Sequence, residues 1–148
     1  MLKTERSIIM VYKRFDNIYF LRIDKGEEIL AQLQALCEQE HIKLATVQAL
    51  GAVDDFTVGV FYTGEKQYHA NHFTGTYEIV SLTGTVTTKE GAFYAHLHMS
   101  AGDEKGLVVG GHLNEAHVSA TCEMVVTAVP GTVEREFNKD VGLNLFKF

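Results

Sequence analysis

A chain of 148 residues with 46% hydrophobic residues and a single proline, Pro130, is long enough for one ordinary core and too apolar for wholesale disorder. The formal net charge is −6, and only Lys13-Arg14 forms a basic pair. That balance argues against strong nonspecific nucleic-acid binding, because binding a phosphate backbone takes clustered cations. No apolar run approaches the roughly 20 residues that span a bilayer.

The N-terminal run Ile8-Ile9-Met10-Val11 is too short for the core of a signal peptide and is closed by Tyr12-Lys13-Arg14. A cytoplasmic location is therefore expected, with residues 1–148 forming one domain. Residues 18–23 (IYFLRI) read as a short strand. The next segment carries Ile29, Leu30, Leu33, Leu36 and Cys37 at helical spacing, which predicts an amphipathic helix over about residues 26–40. Asp24 is the expected cap, and Glu27 and Glu28 fall in the first turn, where the helix dipole favours negative charge.

Beyond the helix the pattern changes to alternation and short apolar runs. Strands are predicted at 44–50, 56–62, 77–86, 92–99, 116–129 and 143–148. Turn signals separate them at Asp54-Asp55, Thr63-Gly64, Lys89-Glu90-Gly91, Gly102-Asp103 and Pro130-Gly131. Many strands with one strong helix imply an α+β domain, a mainly antiparallel sheet with the helix packed on one face. Cys37 lies on the apolar helix face and Cys122 inside an apolar strand, so both are expected to be reduced, buried thiols.

The segment AFYAHLHMSAGDEKGLVVGGHL, residues 92–113, carries the chemistry. Strand side chains alternate, so Phe93, Ala95, Leu97 and Met99 should face the core, and Tyr94, His96 and His98 the other side. Two imidazoles on one strand face can converge on one cation, but a third ligand must come from a neighbouring strand. His112 is suited to that role. Residues 100–106 read as a hairpin loop, Leu107-Val108-Val109 returns antiparallel, and Gly110-Gly111 permits close backbone approach or a bulge. Three neutral nitrogens without a thiolate fit zinc, and also iron, nickel, copper or cobalt. A three-histidine site of this kind usually keeps a coordination position open. His41 ends the helix, His69 and His72 sit in a loop-like stretch and His117 begins a strand. These read as structural or exposed, with His72 the best of them as an extra ligand.

Two strings in this order resemble a known family. GTYEIVSLTGTV (75–86) supplies Gly75, Tyr77, Glu78, Ile79, Ser81, Leu82 and Gly84. HLHMSAGDEKGLVVGGHL (96–113) supplies His96, Leu97 and His98, then Val108, Val109, Gly110, Gly111, His112 and Leu113. Both are similar to the motifs of the plants-and-prokaryotes conserved (PPC) domain family, and the resemblance spans residues 8–138. It implies a strongly bent antiparallel sheet, assembly into a homotrimer, and His96, His98 and His112 as the metal ligands; a divalent transition metal, zinc foremost, is the expected cofactor. Prokaryotic members are commonly labelled DNA-binding-like. Plant members join the domain to an Arg-Gly-Arg-Pro hook that enters the minor groove, and no such segment occurs here.

Three functions compete at this level. The first is a metal-centred site for a small molecule, either binding it or catalysing hydrolytic or lyase-type chemistry. The resemblance makes Glu78 the general acid or base, and Tyr94 could donate a hydrogen bond. The second is a DNA-associated regulatory protein, which the charge disfavours. The third is a trimeric assembly module whose metal is merely structural.

Overall fold

The computed structural model describes residues 11–148; Ile8, Ile9 and Met10 of the short apolar run lie outside them. Residues 11–24 form two strands, β1 (Val11–Phe15) and β2 (Ile18–Asp24), followed by the helix α1 (Ile29–Gln39). Four long strands come next: β3 (Ala45–Tyr62), β4 (Gln67–Lys89), β5 (Ala92–Gly102) and β6 (Val108–Ala128). Two short strands, β7 (Glu134–Asn138) and β8 (Leu143–Lys147), end the chain.

All eight strands belong to one sheet. Its pairings are antiparallel apart from a single parallel contact between Thr88 and Glu134. Strand β3 pairs with both β4 and β6, and β5 bridges β4 to β6, so the four long strands close on one another. Such closure demands bending. It is met by register shifts in β3 between Ala49 and Gly51 and between Val53 and Asp55, where an extra residue kinks the strand and raises its twist.

These bulges correct the expected break at Asp54-Asp55. The two residues bend a continuous strand instead of ending one, so the predicted strands 44–50 and 56–62 are the two halves of β3. The loop-like stretch holding His69 and His72 is likewise strand, the first half of β4 paired along β3. Predicted turns at Thr63-Gly64, Lys89-Glu90-Gly91, Gly102-Asp103 and Pro130-Gly131 all fall between strands or at their ends.

The helix starts later than expected, and Asp24 does not cap it. Glu28 is the cap: its carboxylate accepts from the backbone N–H of Leu30 (3.0 Å) and Ala31 (2.8 Å), meeting two donors that have no partner within the helix. The same carboxylate accepts from the N–H of Ala116 at 3.1 Å, which ties the helix start to β6. Asp24 ends β2 and pairs with Arg22 at 2.7 Å. Ile29, Leu33, Leu36 and Cys37 are buried as the spacing requires, and Gln32 joins them. They share one buried core with Leu97, Met99, Val118, Cys122 and Met124 of the sheet. Burial of each large aliphatic side chain contributes roughly 1.5–3 kcal/mol. Both cysteines are free and buried, and burial pushes each thiol up to about 12. Among the described residues no helix is long and apolar enough to cross a membrane.

Candidate metal centre

The alternation expected of β5 holds. Leu97 and Met99 are buried in the core, Phe93 and Ala95 pack against it, and Tyr94, His96 and His98 line a cleft on the other side. In the β5–β6 pairing His98 stands directly opposite His112. Directly paired residues bring their side chains together on the same face, and His96, two residues along, joins them there.

The three rings form a triangle with centroids 5.1, 5.2 and 5.7 Å apart. One nitrogen from each lies within 4.8 Å of the others. A cation at a metal–nitrogen distance of about 2.1 Å fits such a spacing. Among the described residues no other group of three histidine, cysteine or acidic side chains meets that test.

Backbone contacts explain why β6 can deliver His112. A Cβ on Gly111 would sit 2.5 Å from the Gly59 carbonyl oxygen, so only glycine lets β6 lie this close to β3 beside His112. On the other flank, a Cβ on Gly84 would sit 2.0 Å from the His96 carbonyl oxygen. Glycine there lets β4 close on β5 between its pairings with His96 and His98.

Electrostatics favour the metal-ready state. Burial, followed by the neighbouring rings of His112 and His98 and the charge of Arg135, pushes His96 down to about 4. Burial and His98 likewise hold His112 below the usual histidine value. Neutral imidazole is the form that binds a metal. The cleft has a volume of about 740 Å³, and no aspartate or glutamate lines it, although the chain carries 19 of them.

Further residues of the wall were not singled out in the sequence. The Tyr68 hydroxyl lies between the side-chain oxygen of Asn114 and the His112 carbonyl (3.2 Å). Its ring meets the His112 ring edge-on at 5.8 Å, and burial raises its pKa. Arg135 of β7 lies between the rings of Tyr94 and Phe146, 4.7 and 4.6 Å from their centroids. Tyr94 thus sits in the cleft wall, its hydroxyl accepting from the Asn144 amide at 3.5 Å.

Glu78 is placed elsewhere. It pairs with Gly102, whereas His98 pairs with Thr83, five residues further along β4. At about 3.3 Å per residue that is roughly 16 Å along the strand, and Glu78 is not part of the cleft wall within one chain. The remaining histidines stand apart from the triangle. His72 meets Asp55 at 2.7 Å, His117 meets Glu115 at 2.6 Å, and His69 meets Glu65 at 3.6 Å. His41 follows the helix with a positive φ of 56°.

A closed, bulged antiparallel sheet with one helix and three convergent imidazoles defines a strand-dominated domain with a metal-competent cleft. Residues 10–130 match the model of the Plants and Prokaryotes Conserved (PCC) domain, and the chain belongs to that family. Solved structures agree. A protein of Bacteroides thetaiotaomicron, provisionally described as DNA-binding, is 30% identical with a TM-score of 0.91, covering 94% of this chain and 97% of its own. A metal-containing protein of Archaeoglobus fulgidus is 30% identical with a TM-score of 0.83, covering 93% and 99%. A plant- and prokaryote-conserved protein of Pyrococcus horikoshii is 30% identical with a TM-score of 0.82, covering 100% and 98%. No curated protein matches the sequence.

Proposed function

We propose that this protein is a homotrimer in which each chain holds a divalent transition metal, zinc foremost, on His96, His98 and His112, and that the metal's open position receives a small molecule. The observation that carries this reading is the carboxylate-free triangle of imidazoles in the wall of a cleft large enough for a ligand. Bound there, the metal would polarise a carbonyl or lower the pKa of a bound water to near 7. The metal-containing relative from Archaeoglobus fulgidus is consistent with the same use of the fold.

Self-association is supported by an apolar surface outside the cleft. Val80, Leu107 and Val108 are 60%, 65% and 54% exposed, and Val80 and Val108 flank Gly102 from either side. Clustered exposed apolar groups of this kind mark interaction sites. Glu78 adjoins the patch through its pairing with Gly102, so it would serve as general acid or base only where assembly brings it to a neighbouring chain's cleft. The two free, buried thiols suit a reducing compartment such as the cytoplasm.

The provisional DNA-binding description of relatives supports a second reading, a DNA-associated regulator. Three copies of a −6 chain carry −18, which repels a duplex. Untagged protein purified without added metal, analysed for metal content and for mass by light scattering, tests the first reading. About one metal per chain in a particle of three chains is expected. A metal-free trimer would overturn the metal-centred reading and leave an assembly or DNA-associated role.

A further inference from the structure

Arg135 is an unusual wall residue. It is 7% exposed, its Nε donates to the Thr87 hydroxyl at 2.8 Å, and one Nη donates to the Asn144 carbonyl at 3.0 Å. The second, Nη2, is enclosed and has no hydrogen-bond partner among the described residues. No carboxylate lies within ion-pair distance of the guanidinium among those residues either, although the chain is acidic overall.

A buried, unbalanced cation is costly. Here it lies on Tyr94, two residues before His96 on the same strand face, about 7 Å along the strand. Loading a divalent metal onto neutral histidines adds charge of the same sign to a cleft that, within one chain, holds no acid. The rest of the lining is largely apolar, with Val60, Phe61, Leu143, Leu145 and Phe146.

We propose that the cleft binds a small organic carboxylate, its carboxylate held between the metal on the three histidines and Arg135, its apolar body against Phe61, Leu145 and Phe146. This assignment rests on the metal-centred reading and names its ligand class. The Phe146 ring lies against the guanidinium and is 45% exposed, so in the ligand-bound protein it would turn aside for the incoming oxygen to reach Nη2. A planar guanidinium suits a carboxylate, to which it donates in a charge-assisted hydrogen bond. A phosphate would call for several donors, and this wall offers one free nitrogen beside apolar surface. Arg135 lies beyond residues 10–130, the span matched by the family model, so the ligand preference is set by the C-terminal hairpin β7–β8.

Calorimetric titration of the zinc-loaded protein with benzoate and hexanoate, their neutral amides, and inorganic phosphate tests the proposal. At least one of the two acids is expected to bind saturably, once per chain, and at least about tenfold more tightly than its amide, the scale of one hydrogen bond to a charged group. Arg135→Gln is expected to weaken that acid by a similar factor with zinc content unchanged. Acid and amide binding alike, phosphate binding more tightly than either acid, no saturable binding of either acid, or an unweakened Arg135→Gln would each overturn it. The acid–amide contrast uses the unaltered protein, so a misfolded variant leaves the test intact. Zinc content separates the two failures: protein that takes up no zinc fails the metal-centred reading, whereas zinc-replete protein without acid preference fails this assignment alone.

Discussion

His112 and His117 lie five residues apart on one strand, yet their surroundings are opposite. His112 faces two other imidazoles in a cleft without acids. His117 faces Glu115 at 2.6 Å, and on β4, beyond the intervening β3, His72 faces Asp55 at 2.7 Å. In the first region burial and like neighbours hold His96 and His112 low, so they stay neutral and their lone pairs are available. In the second, the hydrogen bond to Glu115 raises His117 and commits one ring nitrogen to an acid. Histidine count and spacing alone do not make a metal site; the absence of a competing carboxylate and partial removal from water do.

Exchange of ligands breaks the comparison most sharply. His112→Ala is expected to remove most bound metal, a loss of at least tenfold in affinity, whereas His72→Ala and His41→Ala should leave metal content unchanged in elemental analysis. Equal loss from His72→Ala would place a ligand in the wrong region. Next in size is Gly111→Ala. The added methyl meets the Gly59 backbone at 2.5 Å, and overpacking against unyielding backbone should cost about 2–3 kcal/mol in denaturant unfolding. Glu28→Ala removes the helix cap and its link to Ala116 N–H. A loss of about 1 kcal/mol is expected, with metal content unaltered.

The smallest effect is a pair of opposite titrations in metal-free protein, read by NMR of the imidazole carbons. His117 should titrate above the free-histidine value. The stability from its pair with Glu115 is then complete below the unfolded-state pKa and is lost as pH rises through the folded-state pKa. His96 should titrate near 4. The unfolded chain then binds the extra proton first, so stability falls as pH drops from the unfolded value toward 4. Two titrations in the same direction would remove the electrostatic contrast between the regions.

Much of the histidine triangle was legible because strand geometry is strictly periodic. Residues two apart share a face, which paired His96 with His98, and the glycines of Gly110-Gly111 signalled the close approach that delivers His112. The helix was legible as a stripe, but its start was not. The sequence pointed to Asp24 as the cap and put Glu28 in the first turn; Glu28 takes the cap instead, where its carboxylate also satisfies the Ala116 N–H of β6. Asp54-Asp55 looked like a turn because acidic pairs break local strand preference; long-range pairing with β4 and β6 on both sides of β3 outweighs it.

Arg135 was invisible for a related reason. No strand was expected over EREFN, and its inward face exists only once β7 pairs with β8 and meets β4 at Thr88. The resemblance drew attention to Glu78, but proximity to the cleft depends on register, and register places it opposite Gly102.

X-ray absorption at the metal edge of the purified, metal-loaded protein tests the central claim most directly. Three imidazole nitrogens at about 2.0–2.1 Å and one further light-atom ligand are expected, with the imidazole signal reduced in His112→Ala. A shell dominated by carboxylate oxygens, or one unchanged by His112→Ala, would contradict a centre built on His96, His98 and His112.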